Sequence, residues 1–127
     1  MPRFPIAAVI LALAVSALSG CSLFDKECGL LDGQPSVYVR VTEAESGEPV
    51  ADGVEVVARD GDFTEVLARE GDQYAGVSNR PGTYTVTASG DGYRAGSATG
   101  TATAFRCQGR TYADPVFVEI ALFPSTP

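Results

Sequence analysis

The chain of 127 residues contains no histidine and no tryptophan, and its nine lysine and arginine residues are outnumbered by sixteen aspartates and glutamates. The absence of histidine removes the commonest general base and the commonest zinc ligand, which excludes Ser-His-Asp triads and histidine zinc sites. The shortage of basic residues argues against nucleic acid as a partner, because such binding relies on lysine and arginine at the phosphates. We therefore expect no enzyme, no metal and no cofactor, with catalysis by an Asp or Glu pair as the alternative.

The residues that are present suffice for one folded domain. Hydrophobic residues make up 45% of the chain, and 14 glycines and 8 prolines supply frequent turns. A chain of this length and apolar content can bury a single core.

The N-terminus has the pattern of an export signal. Residues 6–18 form an apolar run of thirteen residues, interrupted only by Ser16. Such a run is shorter than the roughly 20 residues that a membrane-spanning helix needs, and it is typical of a signal peptide. The sequence Leu-Ser-Gly-Cys that follows, ending at Cys21, resembles a bacterial lipobox, after which cleavage leaves Cys21 carrying acyl chains. The alternatives are an ordinary secretory signal with a chance cysteine and an uncleaved anchor.

This interpretation divides the chain into three parts. Residues 1–20 are the lipoprotein signal peptide, residues 21–35 a short tether, and residues 36–123 the folded domain. We expect a protein of the bacterial cell envelope that is held to a membrane by its N-terminal lipid and faces away from the cytoplasm. Loss of Arg3 leaves eight basic and sixteen acidic side chains, a net charge of 8 − 16 = −8, so no basic patch is expected to add to the lipid.

Two cysteines remain if Cys21 is lipidated. Cys28 and Cys107 are 79 positions apart, without a CxxC motif. In an oxidising compartment an even remainder of cysteines predicts a disulfide, and Cys28–Cys107 is the pair available within one chain. A metal or redox site and a pair of free thiols are the alternatives.

From residue 36 onward the hydrophobic pattern has a period of two, which is typical of strands. Val37, Val39 and Val41 share one face of the first strand, and Val116, Val118, Ile120 and Leu122 share one face of the last. The spacing of turn signals predicts seven strands: residues 36–42, 54–59, 63–69, 73–77, 83–88, 93–105 and 116–123. An all-β fold, a seven-stranded Greek-key sandwich, is the architecture this pattern favours.

Two segments carry a family resemblance. Residues 37–57 (VYVRVTEAESGEPVADGVEVV) and residues 82–93 (GTYTVTASGDGY) resemble the carboxypeptidase regulatory-like domains, which have a prealbumin-like (transthyretin-like) sandwich. The resemblance covers most of the domain and implies that Gly82 and Tyr84, and likewise Gly92 and Tyr93, form structural corners. It also implies a non-catalytic accessory module, because the histidines of the hydrolases in the transthyretin group are missing.

Four further patterns have a structural and a functional interpretation. The acidic turns around Asp60 and Asp72 are interpreted as solvated turns, with Ca²⁺ binding as the alternative. The hydroxyl row from Ser97 to Thr103 is interpreted as the solvent-exposed face of a strand. The glycines and alanines that alternate with it would let a second sheet pack closely on the other face. Phe117 and Phe123 lie opposite the valine face, where they either cover the end of the sandwich or form a patch for a partner. We expect an envelope protein or a glycan as that partner, and a carbohydrate-binding module is the alternative function.

Overall fold

A computed structural model describes residues 33–50 and 52–125. The predicted signal peptide, most of the tether, Cys21 and Cys28 lie outside the described residues. The described residues form an all-β fold of nine strands in two sheets. The strands are β1 (Pro35–Glu43), β2 (Val54–Asp60), β3 (Phe63–Val66), β4 (Ala68–Glu70), β5 (Gln73–Ser78), β6 (Gly82–Gly90), β7 (Gly96–Cys107), β8 (Arg110–Asp114) and β9 (Val116–Leu122).

The two sheets differ in how their strands pair. The first sheet has the order β4-β5-β1-β9, in which β1 and β9 run parallel although they come from opposite ends of the domain. The second sheet has the order β3-β2-β6-β7-β8, and all its pairs are antiparallel. The pairing of the first strand with the last closes the fold by contacts that are distant in sequence.

The core lies between the two sheets and follows the alternation of the sequence. Val37, Val39 and Val41 are buried on the inner face of β1, and the predicted inner face of β9 is likewise turned inward. Tyr84, Val86 and Ala88 of β6 are fully buried opposite them.

The strand count differs from the seven expected, at two places. The predicted strand at residues 63–69 is two strands, because Leu67 crosses from one sheet to the other: Val66 pairs with Val57 of β2, whereas Ala68 pairs with Ala75 of β5. Leu67 itself is buried, and its N–H donates to the Val56 carbonyl at 2.8 Å.

The second difference is β8, which occupies a segment expected to be a loop. It forms a hairpin with the second half of β7, from Thr103↔Asp114 to Cys107↔Arg110. The two turn residues, Gln108 and Gly109, both have positive φ, 53° and 79°. This backbone is that of the type I′ turn, whose twist matches that of paired strands.

Glycines let β7 pack closely on β9. A Cβ atom on Gly96 would lie 2.8 Å from Ile120 Cγ2, and one on Gly100 would lie 2.8 Å from Val116 Cγ2. Side chains at these two positions would overlap the neighbouring layer, so the small residues of β7 are required by packing.

Candidate functional site

The outer face of the first sheet carries a pair of aromatic rings, of which Phe117 is exposed and Tyr38 is half-buried. Tyr38 of β1 and Phe117 of β9 are direct neighbours in the parallel register, and their rings stack with centroids 5.0 Å apart and planes inclined by 15°. Phe117 is 72% exposed, the most exposed large apolar side chain among the described residues. The alternation that buries the valines of β1 and β9 places these two rings on the opposite face. An exposed ring on an edge strand, stacked on a half-buried one, is a candidate contact surface.

Polar side chains continue this aromatic face along the strands. Arg40 is the register partner of Glu119, and Gln73 at the start of β5 lines the same groove. The groove has a volume of about 160 Å³ and also includes Tyr38 and Phe117. We call these five residues the aromatic face. It combines two ring surfaces with a donor, an acceptor and an amide that supplies both, so it can hold an apolar surface and hydrogen-bond its polar rim.

One end of the sandwich, where β1 begins, is built around Tyr84. The Tyr84 ring is fully buried, and its hydroxyl donates to the backbone carbonyl of Arg80 at 2.5 Å. This bond to a carbonyl four residues upstream is the geometry of a tyrosine corner. Gly82 lies inside the corner, where a side chain would collide with the carboxylate of Asp60.

Arg80 joins this corner to the turn between β2 and β3. Its guanidinium pairs with Asp60 at 2.9 Å, donates to the Tyr84 hydroxyl at 3.0 Å and lies 4.1 Å from the centre of the Phe63 ring. The hydrogen bonds to Tyr84 and Asp60 raise the pKa of Arg80 above its usual value, so the guanidinium remains charged. No local sequence pattern assigns a role to Arg80, because Asp60 and Phe63 belong to a separate turn.

The other end of the sandwich, where β1 ends, holds the second predicted corner. Gly92 has a φ of 85°, and Tyr93 forms a bridge with Pro124. The Tyr93 hydroxyl donates a short hydrogen bond to Glu43, whose other carboxylate oxygen accepts from Ser46 at 2.8 Å. The Tyr84 hydroxyl donates to a backbone carbonyl, whereas the Tyr93 hydroxyl donates to a side chain. Tyr93 also lines an open cavity of about 270 Å³.

These bonds change the ionisation of both partners. The hydrogen bond from Tyr93, with a smaller contribution from Ser46, lowers the pKa of Glu43 below its usual 4.5. The same bond to Glu43 raises the pKa of Tyr93 above its usual 10.0, because it favours the protonated phenol.

The acidic turns do not converge. Asp60 pairs with Arg80, and the Glu65 carboxylate accepts the N–H of Val77 at 2.8 Å. Within residues 33–50 and 52–125, no three histidine, cysteine, aspartate or glutamate side chains come together in a way that fits a metal ion.

The hydroxyl row lies on the exposed outer face of the second sheet. Ser97, Thr99, Thr101 and Thr103 are exposed, and Thr101 is hydrogen-bonded to Thr83 of β6 at 3.1 Å. Their inward neighbours are the glycines and alanines that face β9. The row therefore matches its structural interpretation.

Cys107 is the last residue of β7, at the tip of the β7–β8 hairpin, and its predicted partner Cys28 lies outside the described residues. The route of the chain into the domain bears on this pairing. The Gln34 carbonyl accepts the N–H of Asn79, and the Asn79 side-chain oxygen accepts the N–H of Ala113 in β8. The chain thus begins its first strand close to the hairpin that carries Cys107.

No part of the chain that the structure describes contains a helix of the length and apolarity needed to cross a membrane. Comparison of the chain with protein-family models, with curated proteins and with solved structures finds no match.

Proposed function

We propose that this chain is a non-enzymatic, lipid-anchored accessory module of a bacterial cell envelope, and that it binds its partner through the aromatic face. In this proposal the domain is a Greek-key sandwich of the prealbumin-like, carboxypeptidase regulatory-like type. The observation that carries the binding role is the stack of the exposed Phe117 ring on Tyr38, beside Arg40, Gln73 and Glu119. The Phe117 ring is 72% exposed, so most of its apolar area contributes nothing to the core, which favours a role in contact with a partner.

The anchor is supported by the apolar run at residues 6–18 and the lipobox-like sequence before Cys21. Replacing Cys21 by serine is expected to release the protein from membranes, because no other lipid attachment site is proposed. Incorporation of labelled fatty acid separates the possibilities: label that persists in the Cys21→Ser variant contradicts the anchor and points to another position.

The Cys28–Cys107 disulfide is part of the same proposal, and distances along the chain support it. Gln34 lies six residue steps after Cys28, a reach of at most about 21 Å. Gln34 is linked through Asn79 to Ala113, whose register partner Ala104 is three residues, about 10 Å, from Cys107. The two sulfurs are within reach of each other if the segment before Gln34 runs along the hairpin.

The binding role is tested by photo-cross-linking in intact cells. A benzoylphenylalanine incorporated at position 117 is expected to give one discrete cross-linked product, because the ring would lie against the partner. The same residue at position 99, exposed on the opposite sheet, serves as the matched control. The same products at both positions, or none at position 117, contradict the aromatic face as the binding surface.

A carbohydrate is the second candidate partner, and one specific observation favours it. Aromatic rings flanked by an arginine, a glutamine and a glutamate match the apolar face and the hydroxyl rim of a sugar ring. Affinity electrophoresis through gels containing a panel of soluble polysaccharides tests this candidate. Retardation that Phe117→Ser abolishes and Phe123→Ser preserves is expected, and unretarded migration in every gel contradicts it.

A further inference from the structure

The β7–β8 hairpin projects beyond its own sheet. β6 ends its pairing with β7 at Gly82↔Ala102, whereas β7 continues for five more residues to Cys107. Five residues of strand extend about 16 Å. Since Gly82 is the first residue of β6, the hairpin extends past the end of the sandwich where β1 begins, and the chain enters the domain there.

The side chains at this tip are apolar and basic. Phe105 is 37% exposed and its ring lies 5.9 Å from that of Tyr112. Arg106 and Arg110 are exposed on either side of the turn, and the Arg106 guanidinium donates to the Gly109 carbonyl at 2.8 Å. Residues 103–113 contain no acidic residue, in a chain of net charge −7.

The opposite end of the sandwich has the reverse character. Its carboxylates lie on the turns and strand ends between β1 and β2, β4 and β5, and β6 and β7. They are Glu43, Glu45, Glu48, Asp52, Glu70, Asp72 and Asp91. The hairpin end also holds Asp60 and Asp62 in the β2–β3 turn and Asp114 in β8, and Asp60 is paired with Arg80. Carboxylates are therefore more numerous at the end remote from the hairpin, and the hairpin tip itself, residues 103–113, carries none.

We propose that the tip of the β7–β8 hairpin lies on the phospholipid surface that holds the anchor, with Phe105 at the interface and Arg106 and Arg110 against the phosphates. The inference rests on the proposed lipid at Cys21. Cys28 lies seven residue steps after Cys21, a reach of at most about 25 Å, and the proposed disulfide ties Cys28 to the hairpin itself. Arginine near an anionic surface is attracted, whereas the acidic end is repelled, so both charges favour the same orientation.

The chain contains no tryptophan, so a single introduced tryptophan reports by its fluorescence on the surroundings of that one position. The variant Phe105→Trp places one indole at the hairpin tip, and Phe123→Trp places one at the acidic end. Phe123 is a matched control: it is also exposed, at 52%, and also lies near an arginine, Arg94, at 5.7 Å. Each mature lipoprotein is reconstituted into phosphatidylglycerol–phosphatidylcholine vesicles in which some lipids carry bromine on their acyl chains.

We expect brominated lipid to quench the fluorescence of the Phe105→Trp variant at least twofold and to leave that of Phe123→Trp within a tenth of its value. Adding Arg106→Glu to Phe105→Trp is expected to reduce the quenching, whereas adding Arg94→Glu is not. Ala104→Trp, at the adjacent exposed position, provides a second reporter should Phe105→Trp fold poorly.

The outcomes separate this inference from the proposed function. Mass spectrometry of the N-terminal peptide reports the lipid on Cys21 independently. A lipidated protein whose hairpin reporters are not quenched, or whose two ends are quenched equally, overturns the membrane contact and leaves the anchor intact. A protein without lipid on Cys21 overturns both. Quenching of the Phe123→Trp variant alone means that the acidic end faces the lipid, which also contradicts the inference.

Discussion

The two ends of the sandwich each contain a tyrosine in a glycine-tyrosine corner, but the two hydroxyl groups have different partners. Tyr84 is fully buried and donates to a backbone carbonyl, with an arginine beside it. Tyr93 is partly exposed and donates to the carboxylate of Glu43 beside an open cavity. The same residue type in similar motifs thus closes the core at one end and lines the surface at the other.

The difference in partners follows the difference in burial between the two corners. Tyr84 lies in the core beside the Arg80–Asp60 ion pair, whereas Tyr93 lies among the carboxylates that line an open cavity. A buried hydroxyl must find a partner inside the fold, and a backbone carbonyl is always within reach of a corner. The comparison therefore predicts that changes at the hairpin end destabilise the fold more than equivalent changes at the acidic end.

The largest effect is expected for Cys107→Ala. Loss of the proposed disulfide frees a loop of about 80 residues in the unfolded chain, and the expected decrease in the free energy of unfolding is about 2–4 kcal/mol. Thermal unfolding without reductant measures it. The valine faces of β1 and β9 still bury most of the core, so the variant is expected to fold. A variant melting temperature equal to that of the oxidised parent protein contradicts the Cys28–Cys107 disulfide.

Gly100→Ala tests the close packing of the two sheets between the two ends. A Cβ at this position would lie 2.8 Å from Val116 Cγ2 and 3.0 Å from Val118 Cγ2, so β7 and β9 must move apart. The expected loss of stability is about 1–3 kcal/mol, typical of an overfilled core. Chemical denaturation measures it, with Thr99→Ala on the exposed face as control. Equal stabilities of the two variants argue against the close packing.

Tyr84→Phe and Tyr93→Phe compare the corners directly. Removing the Tyr84 hydroxyl leaves the Arg80 carbonyl without its partner in a buried corner, for an expected loss of about 1–3 kcal/mol. The hydrogen bond of Tyr93 is more exposed, so Tyr93→Phe is expected to lower the free energy of unfolding by less than Tyr84→Phe does. If urea denaturation finds the larger loss for Tyr93→Phe, the assignment of roles to the two ends is reversed.

The smallest effect is a dependence of stability on pH at the acidic end. Because the folded state lowers the pKa of Glu43, its bond with Tyr93 contributes stability above pH 4.5, which is lost as the pH falls through the lowered pKa. Because the pKa of Tyr93 is raised, the contribution is present below pH 10.0 and lost as the pH rises through that raised value.

NMR titration of the Glu43 carboxyl measures this coupling. In Tyr93→Phe the pKa of Glu43 is expected to rise toward its usual value, and Tyr84→Phe is expected to leave it unchanged. An unaltered titration in Tyr93→Phe shows that the hydrogen bond is absent in solution.

The strand faces were predictable because alternation is local. The inward valines of β1 and the inner face of β9 are confirmed, since a period of two fixes which residues share a side. The crossing at Leu67 was not predictable, because a strand that changes sheets keeps the same hydrophobic pattern. β8 was missed because its turn uses Gln108 in place of the usual Asn or Asp before glycine.

The candidate site was only partly predictable. Phe117 was identified as lying opposite the valine face, but its stacking on Tyr38 depends on the parallel pairing of the first and last strands. No local signal specifies that register. Arg80 shows the same limit, because its contacts with Asp60 and Phe63 are made between separate turns.

The orientation of the domain depends on two cysteine modifications, and one tryptic map of protein purified from its native envelope measures both. Lys26, the sole lysine, separates Cys21 from Cys28, so a fully digested chain gives three distinct cysteine peptides. The account predicts acyl mass on residues 21–26 and, without reductant, residues 27–40 joined to residues 107–110. Free thiols at Cys28 and Cys107, or a chain that retains residues 1–20, would contradict it.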